Sequence, residues 1–312
     1  MLFRSAFAAW DALWRDLGQS FLAPTGTLCL SAEGNDWSER SAATLAAIGN
    51  PMAHLTPAEL SGRFPMIDAR GVERAYWMET GGTLFAQDIV AGLVRHLSSA
   101  RSVQLHADTP VVDVDLELGR ITTGAGSTHS ADVVVVAAGA WVGRLLPAFA
   151  SRLVPSRQVV VYFDLPAAAR HAWAKGPLVL DLSGSVGLYV VPPMQGRGMK
   201  VGDHEFSRSG DPDSPRDATP GEVQPLLDRC RTLLRGFEEW RIDQLKVCYY
   251  TVIRDERFVV EKLGSKGWIM SPCSGHGFKF GALMGMELGR TIASERHALQ
   301  HARWAAGLEE GE

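Results

Sequence analysis

No apolar run in this 312-residue chain approaches the roughly 18–20 residues needed to cross a bilayer, so no helix here is long and apolar enough to span a membrane. No C-x-x-C pair occurs either. The four cysteines, Cys29, Cys230, Cys248 and Cys273, stand far apart in the sequence. That spacing argues against a disulfide scaffold or a structural zinc site and fits a reducing, cytoplasmic setting. Basic charge is short as well: 31 Lys and Arg face 35 Asp and Glu, and the formal charge is −4. The basic residues are scattered rather than striped, so there is no field with which to gather nucleic acid. Internal repeats and low-complexity tracts are also missing, which leaves an ordinary globular chain.

What is present fits that class. The chain is 46% hydrophobic and 21% charged, and is long enough for one large domain or two smaller ones. The opening MLFRSAFAAWDALWRDLG superficially resembles a targeting leader, but Asp11, Arg15 and Asp16 break its apolar run. Phe3, Phe7, Trp10, Leu13, Trp14 and Leu17 fall on one helical face, which predicts a docked amphipathic helix.

The first third reads as α/β. Strands are predicted at 25–31, 75–80, 102–106 and 110–117, with a return near RITTG. Helices are predicted at 36–49 and 87–99, and at TPAEL (56–60) with Thr56 as cap and Pro57 at the first helical position. ADVVVVAAGAWVGRLLP (131–147) reads as a buried valine strand, a small-residue turn at Ala138-Gly139, and a helix. Such a strand end lets a ligand approach the backbone closely; it is equally a plain tight turn.

From 155 to 205, short segments with period-2 character and Gly/Pro punctuation predict an antiparallel sheet. A polar loop follows at 207–222, then a helix over 222–237 interrupted near Pro225. The rest is read as β structure over 246–261, a strand at 266–272 and one long helix over 281–300. The fold class is therefore α/β, α+β overall.

Three stretches carry residues able to do chemistry. In GMKVGDH (198–204), Lys200 and His204 are four apart and leave the same face of a strand. A desolvated ammonium there needs an anionic or electron-rich neighbour. In CYYTVIRD (248–255), Cys248 shares a face with Tyr250; periodicity alone does not separate a ligand-facing thiol from a core one. In PCSGHGFKFG (272–281), Gly275 and Gly277 permit unusual backbone and close approach, and a helix N-terminus near Gly281 directs free N–H groups at the loop. His276 and Lys279 are its polar groups, and a structural turn with a solvated lysine is the competing reading.

Taken together and in order, GGTLFAQDIVAGL (81–93), VVVVAAGAWVGRLLP (133–147), GMKVGDHEF (198–206), the 248–255 segment and SGHGFKF (274–280) resemble the monomeric sarcosine oxidase family, FAD-dependent amine oxidases of the D-amino-acid-oxidase-like superfamily. The resemblance implies an FAD-binding α/β domain of Rossmann type, here incomplete, and a substrate domain built on an antiparallel sheet. It divides the chain into 1–24, 81–150 and 262–312 for the first, and 25–80 and 151–261 for the second. It implies that Cys248 links covalently to the flavin, that Lys200 promotes reaction of reduced flavin with O2, and that His204 and His276 lie beside substrate or flavin. Lys279 would bind the substrate carboxylate and Tyr189 would contact the substrate. Val111, Ala138 and Gly139 would lie near the adenosine and pyrophosphate, with Gly275, Gly277 and Phe278 in the flavin-facing loop.

The implied reaction oxidises the C–N bond of a secondary or N-methyl amino acid. O2 becomes H2O2, and the imine hydrolyses to a carbonyl compound and an amine. A flavin-dependent dehydrogenase and an inactive remnant with an interaction role are the alternatives.

The chain also departs from that pattern. The family opens on a strand and G-x-G-x-x-G with an acidic residue about twenty positions later, and nothing before residue 25 resembles this. A truncated sequence is the expectation, a short form unable to hold FAD unaided the alternative. Further on, Arg254 replaces a family proline, and Glu261 stands where aspartate is common.

Overall fold

A computed structural model describes residues 2–32, 37–183, 187–203, 205–294 and 298–308, with side chains from residue 5 onward. Its α-helices are α1 (Leu2–Leu17), α2 (Trp37–Ala47), α3 (Pro57–Arg63), α4 (Ala86–Ser99), α5 (Val142–Leu145), α6 (Ala167–Trp173), α7 (Pro220–Leu233), α8 (Gly281–Ser294) and α9 (Ala298–Ala305). The strands of the first half are β1 (Leu22–Ala23), β2 (Thr27–Ser31), β3 (Ala53–Leu55), β4 (Arg74–Met78), β5 (Thr83–Leu84), β6 (Val111–Asp115), β7 (Arg120–Thr123), β8 (Thr128–Ser130) and β9 (Val134–Val136). Those of the second half are β10 (Val154–Asp164), β11 (Leu178–Leu182), β12 (Leu188–Val191), β13 (Met199–Asp203), β14 (Arg241–Val252), β15 (Val259–Leu263) and β16 (Gly267–Ser271).

An eight-stranded sheet in the order β14-β10-β13-β12-β11-β2-β4-β3 forms the larger layer. It is antiparallel except where β11 runs parallel to β2. Strand alternation gives its two faces different roles. One face carries Leu28, Leu30, Val161, Phe163, Val179, Val190, Met199 and Val201, all buried. These pack with Leu60 of α3, Trp173 of α6 and Leu226 and Cys230 of α7 into the main core. The opposite face, with Tyr189, Lys200, Gly202 and Cys248, is left for something else.

The second layer is smaller. β15 pairs antiparallel with β16, and β16 pairs parallel with β9. Val136, Val259 and Ile269 pack on one side with Val142 and Leu153. Val260 and Trp268 pack on the other with Met284, Leu288 and Ala305 of α8 and α9. The antiparallel meander β6-β7-β8 accompanies this layer. Helix α1 docks through Trp10 and Trp14 onto Phe21, Phe85 and Ile89, and through Ala6 and Ala9 onto Leu283.

Several expectations need correction. Residues 102–106 form no strand; Leu105 is 48% exposed and the segment has no partner to pair with. β9 is an edge strand, not a fully buried one, so Val133 and Val135 lie open while Val136 is buried. The helix read after the Ala138-Gly139 turn is broken into short turns around α5 and Pro147. By contrast, α7 runs through Pro225 unbroken. The missing N–H would have met the carbonyl of Gly221, and both residues are exposed, so water can serve that carbonyl. The 246–261 segment divides into β14 and β15, and the terminal helix into α8 and α9 on either side of residues outside the described set.

Candidate active site

Tyr189 organises the open face of the large sheet. It pairs across to Gly202 of β13. A Cβ on Gly202 would fall 2.6 Å from Tyr189 Cζ, so the glycine lets the phenol ring lie flat over its neighbour strand. The Tyr189 and Tyr250 hydroxyls are hydrogen-bonded to each other, and burial lifts the Tyr189 pKa well above the ordinary phenol value. Tyr250 is also raised by desolvation, to about 12. Both phenols therefore keep their protons at neutral pH.

Lys200, on the same face, places Nζ 5.5 Å from the centre of the Tyr189 ring. Desolvation lowers its pKa, and the nearby Cys248 thiol and Lys246 ammonium pull it in opposite directions. Cys248 sits opposite Gln158 on β10, half-buried. Desolvation raises its thiol pKa, Lys200 opposing, so it is a protonated thiol on the open face rather than a core residue. Cys29 and Cys230, at about 12, are inert and buried.

The 272–281 loop closes over this face. Ser274 (φ 41°) and Gly275 (φ 72°) make a left-handed turn. A Cβ on Gly275 would lie 2.6 Å from the Phe206 ring and 3.2 Å from Tyr250, which ties the loop to the tyrosine pair. Ser274 is anchored by its N–H to the Thr251 carbonyl (2.9 Å) and its hydroxyl to the Arg257 carbonyl (3.1 Å). His276 Nε2 lies 3.0 Å from the Glu256 carbonyl and its ring rests 4.9 Å from that of Phe258. A carbonyl only accepts, so Nε2 carries the proton. Desolvation holds His276 below the usual imidazole value, hence neutral at pH 7.

Lys279 opens on a 330 Å³ cavity that Tyr189, Trp10, Trp14, Thr27, Leu180 and Phe280 also line. The protein around it lowers its pKa by desolvation. Among the described residues no carboxylate forms an ion pair with Lys200 or Lys279. Trp10 Nε1 donates to the Lys279 carbonyl at 2.8 Å, and its ring lies 6.0 Å from Phe278, which is 45% exposed. The expectation of several free N–H groups at the start of α8 is reduced. Phe280 and Gly281 already bond back to Gly277 and Phe278 in a 3₁₀ turn.

A second cavity, of 790 Å³, brings Val111 together with Ala138, alongside Val134–Val136, Trp141 and Arg144. Gly139 (φ 53°) turns the chain at its edge, with nothing within 4 Å of a would-be Cβ. His204 lies outside the described residues. Trp10 and Trp14 join the site from outside the motifs the sequence offers, in which Tyr250 is only a face-mate of Cys248. The Tyr250 signal was present in the alternation of CYYTV; the tryptophan stripe signalled only a buried helix face.

The family model described as FAD dependent oxidoreductase, DAO, matches residues 1–291. Monomeric sarcosine oxidase of Bacillus sp. (strain NS-129) is 30% identical over 243 residues, 74% of this chain and 61% of that protein. N-methyl-L-tryptophan oxidase of Yersinia pestis (strain Pestoides F) is 24% identical over 293 residues, 90% of this chain and 76% of that one. Glycine oxidase from Geobacillus kaustophilus shares the fold with a TM-score of 0.79 at 21% identity, covering 99% of this chain and 82% of that one. L-Proline dehydrogenase from P. horikoshii does so with a TM-score of 0.80 at 18% identity, covering 98% and 82%. The chain spans about three fifths of the length of the sarcosine oxidases it matches. With the matched model extending over most of its length, the chain belongs to the DAO family of FAD-dependent oxidoreductases.

Proposed function

We propose that this chain is an FAD-dependent oxidase of secondary or N-methyl amino acids. The observation that carries the reading is the convergence on Tyr189. Its ring is 5.5 Å from one desolvated ammonium, Lys200, and lines the cavity onto which another, Lys279, opens. Each ammonium has an aromatic face beside it at 5.5 Å, Tyr189 for Lys200 and Phe280 for Lys279. Neither has a carboxylate partner among the described residues, so an anion at this face would offset desolvation that the rings only partly compensate. The fit to a flavin ring is good at this end. The face is flat over Gly202, the loop approaches closely at Gly275, and Cys248 is accessible beside Lys200. At the phosphate end the support is the Val111–Ala138 cavity and the Gly139 turn.

When bound, FAD would supply the two-electron acceptor for the substrate C–N bond, with O2 as the proposed final acceptor. The chain's own groups do the positioning. Lys279 binds the substrate carboxylate, and its depressed pKa rises again as the anion restores a favourable field. Tyr189, held protonated, orients the substrate beside the sheet. Lys200 holds a proton and positive charge where negative charge develops on oxygen. His276 is a neutral imidazole at pH 7, held through Nε2 by the Glu256 carbonyl. Cys248 is the proposed covalent attachment point; Lys200 nearby favours its thiolate and desolvation opposes it.

The division into an FAD-binding part (1–24, 81–150, 262–312) and a substrate part (25–80, 151–261) is supported by sheet membership. All eight strands of the large sheet fall in the second set, while β15 straddles the boundary. Reconstitution with FAD, followed by anaerobic addition of N-methyl amino acids, tests the reading. Bleaching of the flavin absorbance and peroxide on readmitting air are expected. A flavin-loaded chain that no N-methyl or cyclic secondary amino acid bleaches would overturn it.

A further inference from the structure

A third cavity, of 710 Å³, opens beside the turn 253–258 that joins β14 to β15. Arg152, Arg208, Arg254 and Arg257 line it, with Asp255 as the lining carboxylate and Phe258 buried beside them. In a chain with a formal charge of −4, four guanidiniums around one opening reverse the sign locally. Against them stand three carboxylates, Asp255, Glu256 and Glu261, so one positive charge is left over. Arg152 is committed to Glu261, with Nη1 2.9 Å from a carboxylate oxygen. The other three are held loosely. Arg257 meets Asp255 at 3.3 Å, Arg208 meets Glu256 at 3.6 Å, and Arg254 forms no ion pair among the described residues. Both loose pairs are about half exposed, and pairs of that kind contribute little and exchange readily for a better partner. The same turn holds the 272–281 loop. Its Glu256 carbonyl accepts from His276 Nε2 at 3.0 Å, and its Arg257 carbonyl accepts from the Ser274 hydroxyl at 3.1 Å. Glu256 (φ 60°) and Arg208 (φ 48°) are both left-handed, a conformation that side-chain-bearing residues keep only where their surroundings enforce it.

We propose that this arginine-lined cavity binds a small phosphorylated anion carrying at least two phosphate groups, and that its occupancy steadies the turn holding His276 and Ser274. The planar guanidinium fork matches pairs of phosphate oxygens. A carboxylate satisfies one fork, as Asp255 does for Arg257, and leaves Arg254 unmatched. A phosphate group carries about −1.5 to −2 charge and three acceptor oxygens, so two linked phosphates can engage Arg208, Arg254 and Arg257 together. The volume lies within the range of about 300–1,000 Å³ typical of small-molecule sites. Binding there ties three side chains of the turn region to one rigid anion, and the backbone carbonyls of that turn are what fix the loop. The competing anion is the chain's own: Leu308 also lines the cavity, and the sequence continues Glu309-Glu310-Gly311-Glu312. The proposal is independent of the flavin reading, since none of the four arginines is among the groups assigned to cofactor or substrate.

Isothermal titration of the full chain with inorganic pyrophosphate at low salt tests the proposal, with succinate as the carboxylate counterpart. One pyrophosphate per chain is expected, bound about tenfold or more tighter than succinate. Arg254→Gln and Arg257→Gln, both at exposed positions, should each weaken it about tenfold or more. Arg144→Gln, at the Val111–Ala138 cavity, should leave it unchanged. Hydrogen exchange reads the effect on the loop. With pyrophosphate at about ten times its Kd, the Ser274 and His276 amides should exchange about tenfold more slowly. No pyrophosphate binding, binding that persists in both cavity variants, or binding lost with Arg144→Gln alone overturns the proposal. So does binding that appears only when Glu309→Gln and Glu310→Gln are combined, which would make the chain's own carboxylates the occupant. Succinate bound as tightly as pyrophosphate overturns the ligand class, and amide exchange unchanged at saturation overturns the link to the loop.

Discussion

Replacing Gly277 and Gly285 by alanine separates the loop's packing from simple backbone propensity. Gly277 has φ −75° and ψ −27°, a conformation any residue adopts. Its obstacle is steric. A Cβ there would press against the Pro272 carbonyl oxygen and lie 2.6 Å from the Pro272 carbonyl carbon and 2.9 Å from Cys273 Cα. All three atoms are backbone and cannot rotate aside, so the turn must open by about 1 Å or more to reach ordinary contact. Two hydrogen bonds stand in the way, His276 N–H to the Cys273 carbonyl (3.0 Å) and Phe280 N–H to the Gly277 carbonyl (2.8 Å). Overpacking costs about 1–3 kcal/mol and each of the two weakened bonds about 1 kcal/mol, so Gly277→Ala should destabilise by about 3–5 kcal/mol. Gly285 sits inside α8, exposed, with nothing within 4 Å of its would-be Cβ. There alanine should stabilise by about 0.8–1 kcal/mol from helix propensity alone. Urea melts followed by far-UV circular dichroism and tryptophan fluorescence measure both. Gly277→Ala unfolding at the wild-type midpoint, or Gly285→Ala unfolding earlier, would refute the packing argument.

Three further outcomes follow from the site. Asp203 has its pKa raised from 3.8 to about 6, mainly by desolvation. The folded state therefore binds that proton more tightly than the unfolded chain, and this contribution to stability is lost as pH rises from about 4 through 6. Asp203→Asn should be more stable than the parent at pH 7 and nearly equal to it at pH 4, read from melts at both. Lys200→Met in the FAD-loaded chain should slow reoxidation by O2 at least tenfold more than reduction by substrate, measured by stopped-flow; equal slowing of both would contradict its placement. Cys248→Ser should leave all flavin extractable by acid or urea, whereas the parent retains coloured protein; flavin equally extractable from both would remove the covalent link.

Much of the fold could be read from alternation and capping. RQVVVYFDL, PLVLDLS and VGLYVVPP gave their strands because one face is buried against α3, α6 and α7 while the other is not. Thr56-Pro57-Ala58-Glu59 marked the start of α3, where the reciprocal capping box forms. The same signature, Thr219-Pro220-Gly221-Glu222, starts α7 two residues earlier than the apolar pattern indicated, again with both capping bonds. SVQLH shows the limit of local pattern, since β propensity makes no strand without a partner edge. The valines at 133 and 135 show another, because burial depends on how many neighbours the sheet provides. In the site, Lys200, Tyr189, Cys248 and the glycine loop were legible as motifs, and the structure brings them around one tyrosine pair. Trp10 and Trp14 were legible only as a helix face. What that face meets, a cavity and the backbone of Lys279, depends on contacts 269 residues away in sequence.

The central claim is that the open sheet face and the 272–281 loop hold a flavin, and FAD titration of the purified chain tests it most directly. The account predicts saturable uptake of one FAD per chain with quenching of flavin fluorescence, and weaker uptake by Gly275→Val, whose side chain would intrude on Phe206 and Tyr250. A folded, cooperatively melting chain that takes up no FAD, or takes it up equally well with Val at position 275, would contradict it.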